Sequence, residues 1–243
     1  MVLLCTSVVT NFLPILDTGS HKCVKHFVFQ TMEEAKALLR LQMLRKLRDM
    51  PASYRAFKSD RLVEQLLLSP DFHQSRSISV FLSLPEEPNT WELVRSILSS
   101  GRRLFVPQVL PERFRSINNI QGNDSGMCMH RLHSMGQLSM WPMNKWKIVE
   151  PPPPKNWTEV VDRAVEQGGL DVIIVPGLAF TSDGHRLGRG GGFYDRYISW
   201  YRRIASSQEL SNPKLFALAF EEQIVPSIPS EPHDIVVDNV LTA

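Results

Sequence analysis

The sequence predicts a single α/β domain with a three-layer, Rossmann-like arrangement: an open, mostly parallel sheet covered by helices on both faces. Segments with strand-like and helix-like apolar patterns alternate along much of the chain. The stretch 171–180, DVIIVPGLAF, is almost continuously apolar, which is typical of a strand buried on both faces of a parallel sheet. The chain has 243 residues and is 43% hydrophobic, so it can bury a substantial core.

The first 31 residues are interpreted as an extension outside the folded domain, which we place at residues 32–243. Residues 1–16 are apolar and uncharged, but they are too short to span a bilayer and follow no positively charged segment. The first arginine is Arg40, which is a poor match to an Arg-rich mitochondrial presequence. We therefore favour a disordered or spurious extension and expect a cytoplasmic protein. The alternative is a mitochondrial protein in which residues 1–31 act as the presequence.

Helix signals begin directly after this extension. Thr31 followed by Glu34 predicts a capping box, and apolar residues at helical spacing extend the helix to Met50, before Pro51. Further helices are predicted over residues 53–68, 90–100, 158–167 and 193–205.

Strand signals alternate with these helices. Residues 110–154 give a weaker pattern, in which the four prolines 151–154 must be extended. Strands are predicted over residues 77–84, 103–109, 127–132, 171–180, 214–220 and 235–241.

Composition and charge disfavour several functional classes. The formal net charge is +2 and the chain lacks the Lys/Arg stripes that nucleic-acid binding proteins usually carry, so we expect no nucleic-acid partner. Cys5, Cys23 and Cys128 are far apart and form no CxxC pair, which predicts neither a disulfide framework nor a zinc site. A reducing compartment fits this cysteine usage.

The stretch GHRLGRGGGFYDRY, residues 184–197, is the strongest candidate site. It lies between a predicted strand and the next helix, where ligands bind in open α/β sheets. Glycines allow close approach of the backbone, and N–H groups at the helix start favour an anion such as phosphate. Arg186 and Arg189 can add charge-assisted hydrogen bonds. The stretch is neither a P-loop nor a GxGxxG motif, but anion binding is favoured over the alternative of a mobile turn.

Two acidic residues near this stretch have open interpretations. Asp195 lies near the first turn of the predicted helix, where it could bind Mg²⁺, although an acid that complements the helix dipole is the commoner arrangement. Asp234, in PHDIVVD, has no explanation from its local sequence.

The stretch PGLAFTSDGHRLGRGGGFYDRY, residues 176–197, closely resembles the signature of the 5-formyltetrahydrofolate cyclo-ligase family. The resemblance extends to KALLRLQMLRKLRDM at 36–50, ISVFLSLPEEPNT at 78–90, ALAFEEQIV at 217–225 and HDIVVDNVL at 233–241. Together these segments span most of the chain from Lys36 to Leu241.

The resemblance implies ATP- and Mg²⁺-dependent conversion of 5-formyltetrahydrofolate to 5,10-methenyltetrahydrofolate. It assigns catalytic roles to Arg186, Arg189 and Glu87. It assigns ATP contacts to Lys36, Arg40, Arg186, Leu187, Gly188, Arg189, Gly190, Gly191, Gly192, Phe193 and Tyr194. It assigns folate contacts to Leu82, Glu87, Trp146, Arg189, Gly190, Gly191, Gly192 and Phe193, and Mg²⁺ contacts to Asp195 and Asp234.

Some of these assignments differ from what the residues alone indicate. Lys36 and Arg40 on one helix face would otherwise be interpreted as a solvated surface. Met127 is a further pocket candidate, with core packing as the alternative. Some relatives carry a lysine where this chain has Gly191, so here the arginines, the two basic residues of the first helix and the metal must balance the phosphate charge.

We therefore expect a monomeric enzyme with a small folate substrate, which could be polyglutamylated, and no membrane partner. Two other functions remain as alternatives: a non-catalytic nucleotide or folate binder, and an α/β enzyme acting on a phosphorylated sugar or a CoA ester. Phosphoryl transfer requires positioning and charge stabilisation more than a nucleophilic side chain. The retained acids and arginines favour the enzyme over the binder.

Overall fold

The computed structural model of the chain describes residues 31–112, 123–144, 149–156 and 160–243. The strands are β1 Ser77–Ser79, β2 Arg103–Val109, β3 Met127–Leu132, β4 Val172–Ile174, β5 Ala179–Phe180, β6 Arg186–Leu187, β7 Lys214–Ala219 and β8 Asn239–Thr242. The helices are α1 Met32–Asp49, α2 Ala52–Leu68, α3 Pro70–Gln74, α4 Trp91–Ser99, α5 Met135–Leu138, α6 Arg163–Glu166 and α7 Phe193–Ser207, with a 3₁₀ turn at Glu221–Gln223.

Six of the strands form one central sheet in the order β3, β2, β1, β4, β7, β8. Neighbouring strands are parallel except for β3, which runs antiparallel to β2 at one edge. β5 and β6 form a separate antiparallel pair. The predicted open, mostly parallel sheet is confirmed.

The two faces of the sheet bury different side chains. On β2, Leu104 and Val106 belong to a core cluster that also contains buried residues of α1, α2 and α4. Phe105, between them, belongs to a second cluster that contains Tyr197, Trp200 and other buried residues of α7. Because side chains alternate across a strand, this division places helices on both faces, and the three-layer prediction is confirmed.

Helix α1 begins where the sequence predicts. Oγ1 of Thr31 accepts a hydrogen bond from the backbone N–H of Glu34, and Oε2 of Glu34 accepts one from the N–H of Thr31. This capping box fixes the helix start. The helix ends at Asp49, ahead of Pro51, and it buries Met43 and Leu47 against the sheet.

The single strand predicted over 171–180 is wrong in its length. β4 ends at Ile174, although Val175 still donates a hydrogen bond to the carbonyl of Phe216. Pro176 has no N–H to continue the ladder, and the chain leaves the sheet to form β5. The prediction of burial on both faces is confirmed, because Ile173 and Val172 belong to different core clusters.

Other predicted elements also differ in extent. In the described part of the helix predicted over 158–167, the helical residues are Arg163–Glu166, and the carboxylate of Asp162 caps the start of this helix. Residues 157–159 lie outside the described ranges. The strand predicted over 77–84 ends at Ser79, and the strand predicted over 235–241 begins at Asn239. Within the described residues, no helix combines the length and apolarity needed to cross a bilayer.

Candidate active site

A cavity of about 530 Å³ opens beyond the carboxyl ends of β1 and β4. Leu82, which follows β1, and Pro176, which follows β4, both line it. The connection from β6 to α7, residues 188–192, forms another part of the wall. A ligand site at this end of the strands is the usual arrangement for open α/β sheets.

The glycine-rich loop brings the backbone of residues 188–192 to the cavity. Gly190 has φ of +95° and Gly192 has φ of +61°, and residues with a Cβ rarely adopt this left-handed conformation. Gly192 is the N-cap of α7, so the unpaired N–H groups and positive dipole end of a 15-residue helix lie beside the loop. This arrangement suits an anionic ligand.

Helix α1 contributes two cations to the cavity wall. Nζ of Lys36 lies 2.8 Å from Oε2 of Glu231 and 2.8 Å from Oδ2 of Asp234. Burial disfavours the charge on Lys36, but the hydrogen bonds to Asp234 and Glu231 outweigh it and raise the lysine pKa. Nε of Arg40 donates to the carbonyl of Gly188 at 3.1 Å, which attaches the helix to the glycine-rich loop.

Arg186 and Asp195 form a buried ion pair, 2.7 Å from nitrogen to oxygen. Oδ1 of Asp195 also accepts the backbone N–H of Ile235 at 3.1 Å, so this carboxylate joins β6, α7 and the chain next to Asp234. Arg186 also donates to the carbonyl of Pro176 at 3.2 Å, while its buried Nε has no hydrogen-bond partner among the described residues. Arg186 as a residue is among those that line the cavity.

Arg189 pairs with two acidic residues in the turn after β1. Its Nε lies 3.2 Å from Oε1 of Glu87, and its NH2 group lies 3.7 Å from Oε2 of Glu86. Oε2 of Glu87 accepts the backbone N–H of Leu84 at 2.9 Å. Burial raises the pKa of Glu87 above its ordinary value, although the Leu84 N–H and Arg189 oppose that shift.

Most of the predicted site residues line this one cavity. They are Lys36, Arg40, Leu82, Glu87, Met127, Asp234 and the continuous segment from Arg186 to Asp195. These residues come from segments up to 198 positions apart in sequence, the separation of Lys36 and Asp234. Trp146 lies outside the described residues.

Comparisons with known proteins identify the family of the chain. A family profile described as the 5-formyltetrahydrofolate cyclo-ligase family matches residues 32–243. The chain belongs to this family. A 5-formyltetrahydrofolate cyclo-ligase of Mus musculus is 36% identical over 211 residues, which cover 87% of this chain and 95% of the mouse protein. A mitochondrial 5-formyltetrahydrofolate cyclo-ligase of Arabidopsis thaliana is 30% identical over 219 residues, covering 85% of this chain and 73% of that protein.

Solved structures carry the same fold. The NMR structure of a 5,10-methenyltetrahydrofolate synthetase of Aquifex aeolicus has a TM-score of 0.60 at 23% identity, over 85% of this chain and 89% of that one. A synthetase of the same description from Mycoplasma pneumoniae has a TM-score of 0.54 at 17% identity, over 84% and 96% of the two chains. The family membership makes this chain an enzyme of the ligase class, as the resemblance implied.

Sequence reasoning missed several residues of this candidate site. Glu231 and His233 lie beside Asp234, and a ligand atom of each of the three lies within 4.8 Å of the others. Arg196 donates to the carbonyl of Gly191 at 3.0 Å, and its guanidinium lies 5.3 Å from the ring centre of Phe193. His233 lies within the quoted PHD motif and Glu231 directly precedes it, so that motif was the one signal that could have indicated them.

Proposed function

We propose that the protein converts 5-formyltetrahydrofolate to 5,10-methenyltetrahydrofolate with consumption of ATP and release of ADP and phosphate. The observation that carries this proposal is that the glycine-rich loop, Lys36, Arg40, Glu87 and Asp234 meet at one cavity. A cavity of about 530 Å³ is within the range of sites that enclose small ligands.

The proposed chemistry activates a poor electrophile. The formyl group on N5 is an amide, whose nitrogen lone pair is delocalised into the carbonyl. Transfer of the γ-phosphoryl group of ATP to the formyl oxygen makes that oxygen a leaving group. N10 then attacks the formyl carbon and loses its proton, and departure of phosphate leaves the 5,10-methenyl bridge. Positioning and charge stabilisation are the main demands of such a reaction.

The glycine-rich loop and its arginines would hold the phosphates. Backbone N–H groups from Gly188 to Tyr194 can donate to phosphate oxygens, and Arg186 and Arg189 would stabilise charge on the transferring group. Both arginines line the cavity, which supports this role. Lys36 and Arg40, one helical turn apart on α1, line the same cavity and would add positive charge.

Asp195 and Asp234 are the proposed Mg²⁺ residues. The donor chemistry fits, because Mg²⁺ prefers carboxylate oxygens and usually reaches proteins through one or two carboxylates together with nucleotide phosphates. The ammonium of Lys36, 2.8 Å from Asp234, already occupies a cation position there. Both described hydrogen bonds to Asp195 reach Oδ1, which leaves Oδ2 available. When bound, Mg²⁺ would neutralise phosphate charge and orient the γ-phosphoryl group.

Glu87 would face the folate. Its buried position and raised pKa suit a carboxylate that orients the pterin side of the substrate and accepts the N10 proton. Leu82 and Phe193, and Met127 more weakly, would supply apolar contacts around the ring system, since they line the same cavity. Trp146 stays a proposed folate contact.

The decisive experiment incubates purified protein with 5-formyltetrahydrofolate, ATP and Mg²⁺. Absorbance of the methenyl product and release of ADP should rise together in a one-to-one ratio, and both should stop when EDTA removes the metal. Substrate labelled with ¹⁸O in the formyl group should transfer the label to phosphate. Nucleotide binding without turnover would instead favour the non-catalytic binder, and phosphate free of label would exclude phosphorylation of the formyl oxygen.

The remaining expectations are also proposals. We propose a monomer that acts in the cytoplasm on folates that could carry polyglutamate tails. The Arabidopsis thaliana relative carries the word mitochondrial in its name, so the presequence alternative for residues 1–31 is retained. Size-exclusion chromatography with light scattering and localisation of the tagged full-length chain test these two points.

A further inference from the structure

Lys36 occupies a position between two carboxylates that a metal ion could also occupy. Its Nζ lies 2.8 Å from oxygens of both Glu231 and Asp234. Nε2 of His233 lies 3.8 Å from Oε2 of Glu231 and 4.0 Å from Oδ1 of Asp234. Glu231 lines the same cavity but has no part in the proposed reaction.

The turn that carries these groups is held in place by its own hydrogen bonds. Oδ2 of Asp234 accepts the backbone N–H of Glu231 at 2.8 Å, and the N–H of Asp234 donates to the carbonyl of Glu231 at 3.0 Å. The N–H of Ile235 binds Asp195. Glu231 and Asp234 therefore lie on one hydrogen-bonded turn, and the bond from Ile235 attaches that turn to Asp195 on α7.

The charges of this group favour one form of the nucleotide over the other. Lys36 has two carboxylate partners, so without bound metal the group of three side chains has a net negative charge. A metal-free triphosphate that approaches Lys36 would meet two carboxylates at the same point, and like charges in a partly buried site repel strongly. A metal nucleotide brings a divalent cation that can take over the carboxylates, which releases the ammonium to the phosphates.

We propose that Glu231, together with Asp234, makes the site selective for metal-bound over metal-free nucleotide by exchanging cations. In the free chain the two carboxylates hold the ammonium of Lys36. In the nucleotide complex they hold the metal, directly or through its water, and Lys36 turns to the phosphates. Glu231 is in this sense a specificity-determining residue. The inference rests on the proposed function, in which ATP and Mg²⁺ bind in this cavity.

The test measures binding rather than turnover. Affinity for a non-hydrolysable ATP analogue, whose β–γ bridging oxygen is replaced by NH, is determined calorimetrically with Mg²⁺ and with EDTA. The ratio of the two dissociation constants is the metal preference. In Glu231→Gln this preference should fall about tenfold, the scale of a typical coupling between two ligands, mainly because metal-free binding tightens. An unchanged preference in this variant would overturn the inference.

The matched control is Glu33→Gln. Glu33 lines the same cavity and pairs with a nucleotide-site cation, Arg40, at 2.7 Å, but it is not part of the cluster around Asp234. Its substitution removes the same charge from the cavity, so it should change both affinities in parallel and leave the ratio unaltered. A ratio that falls equally in both variants would mean that general cavity charge, not Glu231, sets the preference.

A second measurement follows the metal itself. Mn²⁺ in place of Mg²⁺ can be titrated by electron paramagnetic resonance in the presence of the same analogue, and Glu231→Gln should bind Mn²⁺ about tenfold more weakly in that ternary complex. Equal Mn²⁺ affinity in the variant and the parent chain would contradict the exchange. If the parent chain binds nucleotide under neither condition, the proposed function fails as well; if it binds with a metal preference that Glu231→Gln retains, the exchange alone fails.

Discussion

Nε of Arg189 lies 3.2 Å from Oε1 of Glu87, and this contact joins the glycine-rich loop to the turn after β1 across 102 residues of sequence. Both side chains line the same cavity. In the proposed reaction Arg189 contacts the phosphates and Glu87 the folate, so this pair would lie where the transferred phosphoryl group meets the formyl oxygen.

Replacing Arg189 with alanine should lower kcat by about 10²- to 10³-fold, the usual cost of losing one donor that stabilises transition-state charge. The apparent KM for ATP should change less, because Arg186, Lys36 and Arg40 remain. Steady-state formation of the methenyl product, measured by absorbance, provides both constants. Arg189→Lys should recover only part of the loss, since lysine cannot reproduce the planar guanidinium.

The control for this prediction is Arg203→Ala. Arg203 lies on α7, the helix that follows the glycine-rich loop, but its side chain is 63% exposed and pairs with Asp124, which is 60% exposed. Surface pairs of this kind contribute little, so the variant should keep parental kcat and KM. If Arg189→Ala also kept them, Arg189 would have no role in the reaction.

Asp195→Asn should raise the Mg²⁺ concentration needed for half-maximal activity by about tenfold, as expected for a weakened metal environment. Asparagine keeps an oxygen that can accept the hydrogen bonds from Arg186 and from the N–H of Ile235, so the fold should survive. The measurement is a Mg²⁺ titration of activity at saturating ATP, accompanied by a denaturant unfolding curve.

Asp183→Asn is the matched substitution for the metal experiment. Asp183 lies in the turn between β5 and β6, where its side chain is 72% exposed and does not line the cavity. Its Mg²⁺ requirement should equal that of the parent chain. An unaltered requirement in Asp195→Asn would leave Asp195 as the partner of Arg186 and of the α7 dipole rather than of the metal.

Local signals explain which parts of the fold the sequence could predict. The capping box of Thr31 and Glu34 and the bounds of β2 and β3 depend on neighbouring residues, and the structure has them as expected. The break after β4 was missed, because a continuous apolar run does not reveal where the chain leaves a sheet. Pro176 was the available signal, since a proline seldom lies within a central strand.

The candidate site was harder to predict than the fold. The glycine-rich loop was identifiable from its own composition and position, but Lys36 and Asp234 lie 198 residues apart, and no periodicity relates them. The family resemblance supplied that relationship. Glu231 was missed because only the turn around Asp234 and the position of α1 bring it to Lys36.

Asp162→Ala should lower the free energy of unfolding by about 2–4 kcal/mol, because a buried cap serving three donors is lost. Oδ1 of Asp162 accepts the N–H groups of Ala164 and Val165, and Oδ2 accepts that of Met129 on β3. Urea denaturation followed by circular dichroism measures the loss. Asp171→Ala is a useful comparison, since Asp171 accepts the backbone N–H groups of Arg76 and Ser77 at a more exposed position. A smaller loss of unfolding free energy in Asp162→Ala than in Asp171→Ala would contradict the prediction.

His130 on β3 should make the protein less stable as the pH falls. Burial, reinforced by the nearby charge of Arg163, lowers its pKa from 6.5 to about 4. The unfolded chain therefore takes up a proton at higher pH than the folded chain. The free energy of unfolding consequently falls between about pH 6.5 and pH 4, by about 3 kcal/mol in full. Burial has the opposite consequence for Asp162. Its pKa is raised to about 6, so its contribution to the free energy of unfolding grows as the pH falls.

Because these two effects oppose each other, the measurement compares His130→Gln with the parent chain at each pH. The difference in unfolding free energy between the two proteins removes the contribution of Asp162, which both retain. That difference should move in favour of the glutamine variant by about 2–3 kcal/mol between pH 7 and pH 4.5, since glutamine cannot acquire a charge. A difference that is flat with pH for His130→Gln would mean that the folded protein accommodates the imidazolium of His130, contrary to its burial.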